Sequence, residues 1–167
     1  MMSVSNSLKC GLMGALSCAG LFVSTGADAF IYTVGGSGTG QNCSFATVQA
    51  AIDAAESTDA DDEIWITRDV AGGYYQNQAL LIEGLRGKLK IVGGFVNCRD
   101  VTPDGVTELH GNGGPRESVL RIYGGDVSLA NLRFTRGDVS AHSGAGISYL
   151  GSGSLLIEDS IIDNNES

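Results

Sequence analysis

Apolar positions along this chain recur at two different periods. After Ser44, the run FATVQAAIDAA sets Phe45, Val48, Ile52 and Ala55 at spacings of three and four, which is one face of a short helix. Ser44 stands where a hydroxyl can cap the first free amides of that helix. Ahead of it, Phe30 to Val34 reads as a first strand, and Gly35 to Gly40 as a loop. Beyond an acidic loop, Asp59 to Glu63, the period falls to two. Ile64-Trp65-Ile66, Leu80-Leu81-Ile82 and Leu89-Lys90-Ile91 each predict a short strand.

From residue 120 onward the pattern tightens. Leu120 and Ile122, Val127 and Leu129, and Leu132 and Phe134 form apolar pairs two residues apart, separated by Gly124-Gly125-Asp126 and by Ala130-Asn131. Strands so short and corners so close do not suit hairpins, which reverse the chain through dedicated two-residue turns. A repeat explains them better. Shifting the segment by 28 residues lays Val127 on Leu155, Leu129 on Ile157, Asn131 on Asp159 and Phe134 on Ile162. Asn and Asp both tolerate the left-handed backbone of a tight corner. The expected architecture is a coil of parallel strands in which each turn roofs the apolar layer of the last. Twenty-five glycines and only two prolines fit it, because Gly permits tight corners and Pro would interrupt the stacking ladder. The competing architecture is a Gly-rich antiparallel sandwich, which leaves the single leading helix unexplained.

The opening residues change the picture of where the chain works. Lys9 is the only charge before Asp28, Cys10 to Gly26 is apolar or small, and Ala27-Asp28-Ala29 supplies an A-x-A cleavage pattern. Residues 1–29 read as a secretory signal cut before Phe30, leaving 30–167 as one domain. A spanning helix is the rival, but a span wants about 20 strongly apolar residues, and this stretch is interrupted by Gly, Ser and Thr. A lipoprotein signal through Leu16-Ser17-Cys18 is weaker, since Ala15 stands where Leu is wanted. No transmembrane segment is expected once the signal is removed. The net charge of −9 argues against nucleic acid and anionic lipid as partners. Cys43 and Cys98, the two cysteines outside the signal, form an even pair that reads as a disulfide in an exported chain.

CSFATVQAAIDAA followed by DDEIWIT resembles the opening of the right-handed parallel β-helix (pectin-lyase-like) superfamily, where a short helix covers the first turn. KLKIVGGFVNC, TELHGNGG and SVLRIYGGDVSLANLRFTRG resemble the following turns, with Gly93-Gly94-Phe95 as a turn before Cys98. SGAGIS and IIDNNES are similar to the paired Gly-Gly-Ala-Ile and Phe-x-x-Asn repeats of polymorphic outer-membrane proteins. Here Gly144-Ala145-Gly146-Ile147 replaces the first motif, and Ile162 stands for Phe in the second. The resemblance spans roughly residues 30–167. It implies an all-β, right-handed parallel β-helix with a short N-terminal capping helix and an uncapped C-terminal end. A Cys43–Cys98 bond would tie that cap to an early turn. Because Leu155 to Ile162 has no polar final layer after it, the chain reads as the front of a longer array; the rival is that the open end joins another chain.

Candidate chemistry is sparse. Asp61, Asp62 and Glu63 form an acidic run without calcium-loop spacing. Asp159 and Asp163 are four apart and open to an acid/base reading, although they read more simply as a corner residue plus a surface residue. Arg133 and Arg136 near Asp138 echo the arginine base of lyases that share the resembled fold. Tyr74-Tyr75 reads as a sugar-stacking pair or as one buried and one exposed ring. His110 and His142 stand apart from any partner at ligand spacing. Asn42-Cys43-Ser44 and Asn165-Glu166-Ser167 match the glycosylation sequon, discounted because the signal and the resemblance look bacterial. Neither a nucleophile elbow nor a phosphate loop occurs in the sequence. Accordingly no catalytic, cofactor-binding or metal-binding residue is assigned. The expected role is a non-catalytic secreted or bacterial outer-membrane surface protein, of adhesin type, that binds a surface ligand or carbohydrate through a rigid coil. The alternative is a polysaccharide lyase or hydrolase with its catalytic turns beyond residue 167.

Overall fold

The computed structural model of the chain describes residues 29–36, 42–68, 70, 72–111, 118–139 and 144–166. Ala27, His142 and the loop from Ser37 lie outside them. One helix, α1 (Val48–Glu56), follows β1 (Ile31–Val34). Eleven further strands complete the described chain: β2 (Asp62–Thr67), β3 (Tyr75–Gln78), β4 (Leu80–Ile82), β5 (Leu89–Phe95), β6 (Thr107–Gly111), β7 (Leu120–Ile122), β8 (Gly125–Ala130), β9 (Leu132–Thr135), β10 (Ile147–Tyr149), β11 (Gly153–Glu158) and β12 (Ile161–Ile162).

The strands form three sheets, and every strand pairing is parallel. Sheet A runs β1-β2-β5-β8-β11, sheet B β12-β9-β6-β3, and sheet C β10-β7-β4. The chain visits A, B and C in rotation, so it coils as a parallel β-solenoid with three faces. Val127 pairs with Leu155, Leu129 with Ile157 and Phe134 with Ile162, which is the 28-residue offset read from the sequence. The same offset does not hold earlier. Asp62 pairs with Leu89 and Leu89 with Val127, so the intervening turns take 27 and then 38 residues. The long turn carries the loop that contains Cys98.

Inward-facing residues of the three sheets make one core, including Ile64, Ile91, Leu129, Leu109, Phe134, Ile82, Leu120 and Ile122. Residues other than glycine take left-handed backbone in two corner columns. Asn131 and Asp159 occupy the corner from sheet A to sheet B, with φ of 55° and 44°. Asn77, Arg136 and Asn164 occupy the next, with φ of 55°, 60° and 51°. Gly93-Gly94-Phe95 is not a turn but the end of β5, where Gly94 takes φ +86° and the register with β2 shifts. A side chain at Gly93 would collide with the backbone of Asn131 on the next turn, which explains the small residue there.

The helix starts later than its apolar spacing implies. Thr47, not Ser44, is the N-cap, and its Oγ1 accepts from the Ala50 amide. Ser44 is instead drawn to Thr33, whose Oγ1 accepts its amide. Phe45 sits in a β-bridge with Val34 and packs edge-on against Tyr32. Val48, Ala51, Ile52 and Ala55 form the buried face of α1. The helix covers the open side of the first turn. Gln49 both donates to the Leu81 carbonyl (3.0 Å) and accepts from the Leu81 amide (2.9 Å), so it stands in for the strand that β4 lacks on that side. Glu56 Oε1 accepts the Glu83 and Gly84 amides in the same way. An edge treated like this cannot template a further strand.

Cys43 and Cys98 are bonded, with Cα atoms 5.4 Å apart and a sequence separation of 55. Cys43 precedes α1, so the bond ties the cap to the long turn. Closing a loop of that length stabilises by about 4 kcal/mol in the chain-entropy account. At the other end, Leu156, Ile157, Ile161 and Ile162 are exposed, because no described strand lies over them.

Candidate functional site

Two outward surfaces carry the polar chemistry of the described residues. The first is on sheet A, where side chains alternate in and out. Outward residues align in columns from turn to turn: Glu63, Lys90, Ser128 and Leu156 in one, and Trp65, Val92, Ala130 and Glu158 in the next. Asp126 and Ser154 are in register just before the first column, and the Ser154 hydroxyl donates to Asp126 (2.8 Å). Asp126, Ser154 and the first column line, with Asp61, Asp62 and Lys88, a shallow groove of about 350 Å³ that crosses four strands. Lys90 lies 3.8 Å from Glu63, an exposed pair that contributes little to stability. Trp65 stands on the same face, beside Glu63. Its indole N–H donates to Glu63 (2.7 Å), and its ring stacks on Phe95 at 4.8 Å.

The second surface is on sheet B. Arg133 joins two carboxylates from neighbouring turns. Its Nε and Nη2 donate to Asp163 (3.0 and 2.8 Å), and Nη1 donates to Glu108 (3.0 Å). Glu108 also contacts His110 Nε2 at 3.0 Å, and the His110 ring lies buried under Tyr74, with centroids 3.8 Å apart. The bond to His110, and then the Arg133 guanidinium, hold Glu108 below the usual carboxylate range. Asp163 is lowered chiefly by its bonds to Arg133, which is itself raised by the same contacts. Two carboxylates held this way are proton-poor and already occupied. The ladder braces adjacent turns.

The acidic run Asp61, Asp62 and Glu63 borders the groove, but each carboxylate holds a different partner. Asp61 accepts the Lys88 amide, Asp62 is buried and Glu63 points into the groove. Adjacent residues of a strand face opposite sides, so the acidic run forms no shared oxygen cage. Among the described residues no group of three or more His, Cys, Asp or Glu is placed to hold a metal. Asp159 sits at an exposed corner, while Asp163 is committed to Arg133. Arg136 occupies the next corner, and Asp138 bridges to Glu166. Tyr75 is buried, with its hydroxyl near Thr67 and Val34, and burial raises it. Its neighbour Tyr74 is the ring that covers His110. Asn165 spends its side-chain oxygen on the Gly137 amide and its nitrogen on the Phe134 carbonyl, so its sequon nitrogen is engaged.

Sequence reading missed the groove lining: Lys88, Lys90, Asp126, Ser128 and Ser154. The 28-residue offset places Asp126 beside Ser154. The unequal turns before it hide the Lys column. Among the described residues no helix is long and apolar enough to cross a membrane. Comparison with known proteins adds no relative: no family model, curated protein or solved structure matches this chain.

Proposed function

We propose that this chain is an exported bacterial surface or secreted β-solenoid that binds a carbohydrate-bearing partner through the outer face of sheet A, without catalysis. The observation that carries this reading is the groove across four strands. Its lining offers ammonium, carboxylate and hydroxyl groups at fixed intervals, and stacked parallel strands repeat about every 4.8 Å. Polyhydroxylated chains bind through many such modest hydrogen bonds to a surface that is ordered beforehand. The A-x-A pattern at Ala27 and Ala29 and the Cys43–Cys98 bond support export. The resemblance to pectin-lyase-like and polymorphic outer-membrane repeats supports a surface role.

Trp65, the chain's single tryptophan, donates to Glu63 of the groove lining, so its fluorescence can report on the groove. The test is a fluorescence titration of the exported protein with neutral and acidic polysaccharides, beside a Ser128→Phe variant that fills the groove. The reading expects a saturable change that the variant loses. Equal responses from both proteins would reject the groove. Release of reducing or unsaturated ends from any polysaccharide would reject the non-catalytic part and favour the lyase or hydrolase alternative.

A further inference from the structure

Asp62 is a carboxylate at the inward side of β2, only 2% exposed. No Lys, Arg or His among the described residues forms an ion pair with it. Its Oδ2 accepts from the Thr58 hydroxyl (2.6 Å), which has one hydrogen and also points at the Ala55 carbonyl (3.2 Å). Its Oδ1 accepts from the backbone nitrogen of Phe30 (2.9 Å). A buried carboxylate with neutral donors alone is costly, and proteins ordinarily supply such a group with a cation.

The nitrogen in question is the one that cleavage after Ala29 would free. Hydrolysis of the Ala29–Phe30 peptide bond takes up one water. It leaves a carboxylate on Ala29 and an amino group on Phe30, which holds a third proton at neutral pH. The position of Phe30 is fixed independently, because its carbonyl accepts the Glu63 amide (2.9 Å) and β1 continues in register with β2. The new ammonium is therefore held beside the carboxylate without rearrangement.

We infer that removal of residues 1–29 completes the fold: the mature amino terminus at Phe30 becomes the missing cation for Asp62, locking β1 and the cap onto the first full turn. Before cleavage the same nitrogen is a neutral amide, and the first turn is held less firmly. Processing and final stability are thus coupled through one ion pair. The inference rests on the export reading above.

The test uses the full chain exported from a bacterial host, with the mature amino terminus read by mass spectrometry. Inserting one Gly between Ala29 and Phe30 preserves the A-x-A pattern and moves the new ammonium one residue, about 3.8 Å, from its place. Each form is made with Asp62 and with Asp62→Asn, and unfolding is followed in denaturant. With Asp62 present, the inserted Gly is expected to raise the unfolding equilibrium constant at least tenfold. With Asp62→Asn, the insertion is expected to change it less than twofold. Equal effects of the insertion in both backgrounds overturn the ion pair while leaving export intact. A mature protein that begins elsewhere than Phe30 overturns the cleavage reading itself, and the inference with it.

Discussion

Arg133 on one turn of the solenoid grips Asp163 on the next through two parallel hydrogen bonds, and reaches back to Glu108 with its remaining arm. Three successive turns of sheet B are thereby joined by charge on their outer side. Both carboxylates lie below their ordinary range. In acid the unfolded chain therefore binds more protons than the folded one, and stability rises with pH across that window. The contribution is fully present above the unfolded carboxylate values, about 4. It is lost as pH falls through the lower folded values. Acid unfolding of the exported protein is expected to steepen below about pH 4. An Arg133→Gln variant is expected to show a shallower slope in the same window. Identical slopes would mean that the ladder does not contribute.

A buried hydroxyl makes a second link between turns. Thr107 Oγ1 accepts the Gly94 amide (2.7 Å) and donates to the Ile66 carbonyl (3.1 Å), with the residue wholly buried. Thr107→Val keeps the shape and removes the acceptor of the Gly94 amide. The expected loss is about 1–3 kcal/mol, the cost of an unsatisfied buried donor. Thr107→Ser retains the hydroxyl and is expected to lose less than half as much. Equilibrium unfolding of the two variants decides this, since similar losses would point to packing instead.

The cap depends on Gln49 in a way its place on α1 does not reveal. Its amide satisfies both backbone groups of Leu81 on the edge of sheet C. Gln49→Ala is expected to cost about 1–2 kcal/mol and to speed amide hydrogen exchange at Leu81 selectively. Unchanged exchange at Leu81 would show that the helix covers the turn by apolar contact alone.

Much of the architecture was legible because an inward stripe is written twice at the same offset. Val127 and Leu129 recur as Leu155 and Ile157, and Asn131 recurs as Asp159 at a corner with the same left-handed backbone. Apolar period and corner chemistry are local properties, so they survive in one dimension. The start of α1 was not legible, since Phe45 satisfies helical spacing yet is claimed by Tyr32 and Val34. The groove was hidden for a different reason. Its columns depend on turn lengths, and the long loop around Cys98 breaks the offset that would have aligned Lys90 with Ser128. Asp62 reads in the sequence as part of an acidic loop, Asp59 to Glu63. Only the alternation of β2 shows that it faces inward while Glu63 faces out.

Arg136 is the exception among the corner residues. It holds φ +60° where its column otherwise uses Asn77 and Asn164. A longer side chain there costs about 1 kcal/mol relative to Gly. Arg136→Gly is expected to stabilise by up to that amount, less the entropy that Gly returns to the unfolded chain. Thermal unfolding of the variant measures it, and a fall in Tm would show that the Arg136 side chain contributes more than its backbone strain costs.

The stacking of one turn directly over the next is the claim on which every site above depends. It is tested most directly by interstrand backbone NOEs on an isotope-labelled sample of the exported protein. The account predicts contacts that join Val127 to Leu155 and Leu129 to Ile157 in the same chain direction, as parallel neighbours. Close Hα–Hα contacts of antiparallel pairing between these segments, or no contacts between them at all, would contradict it.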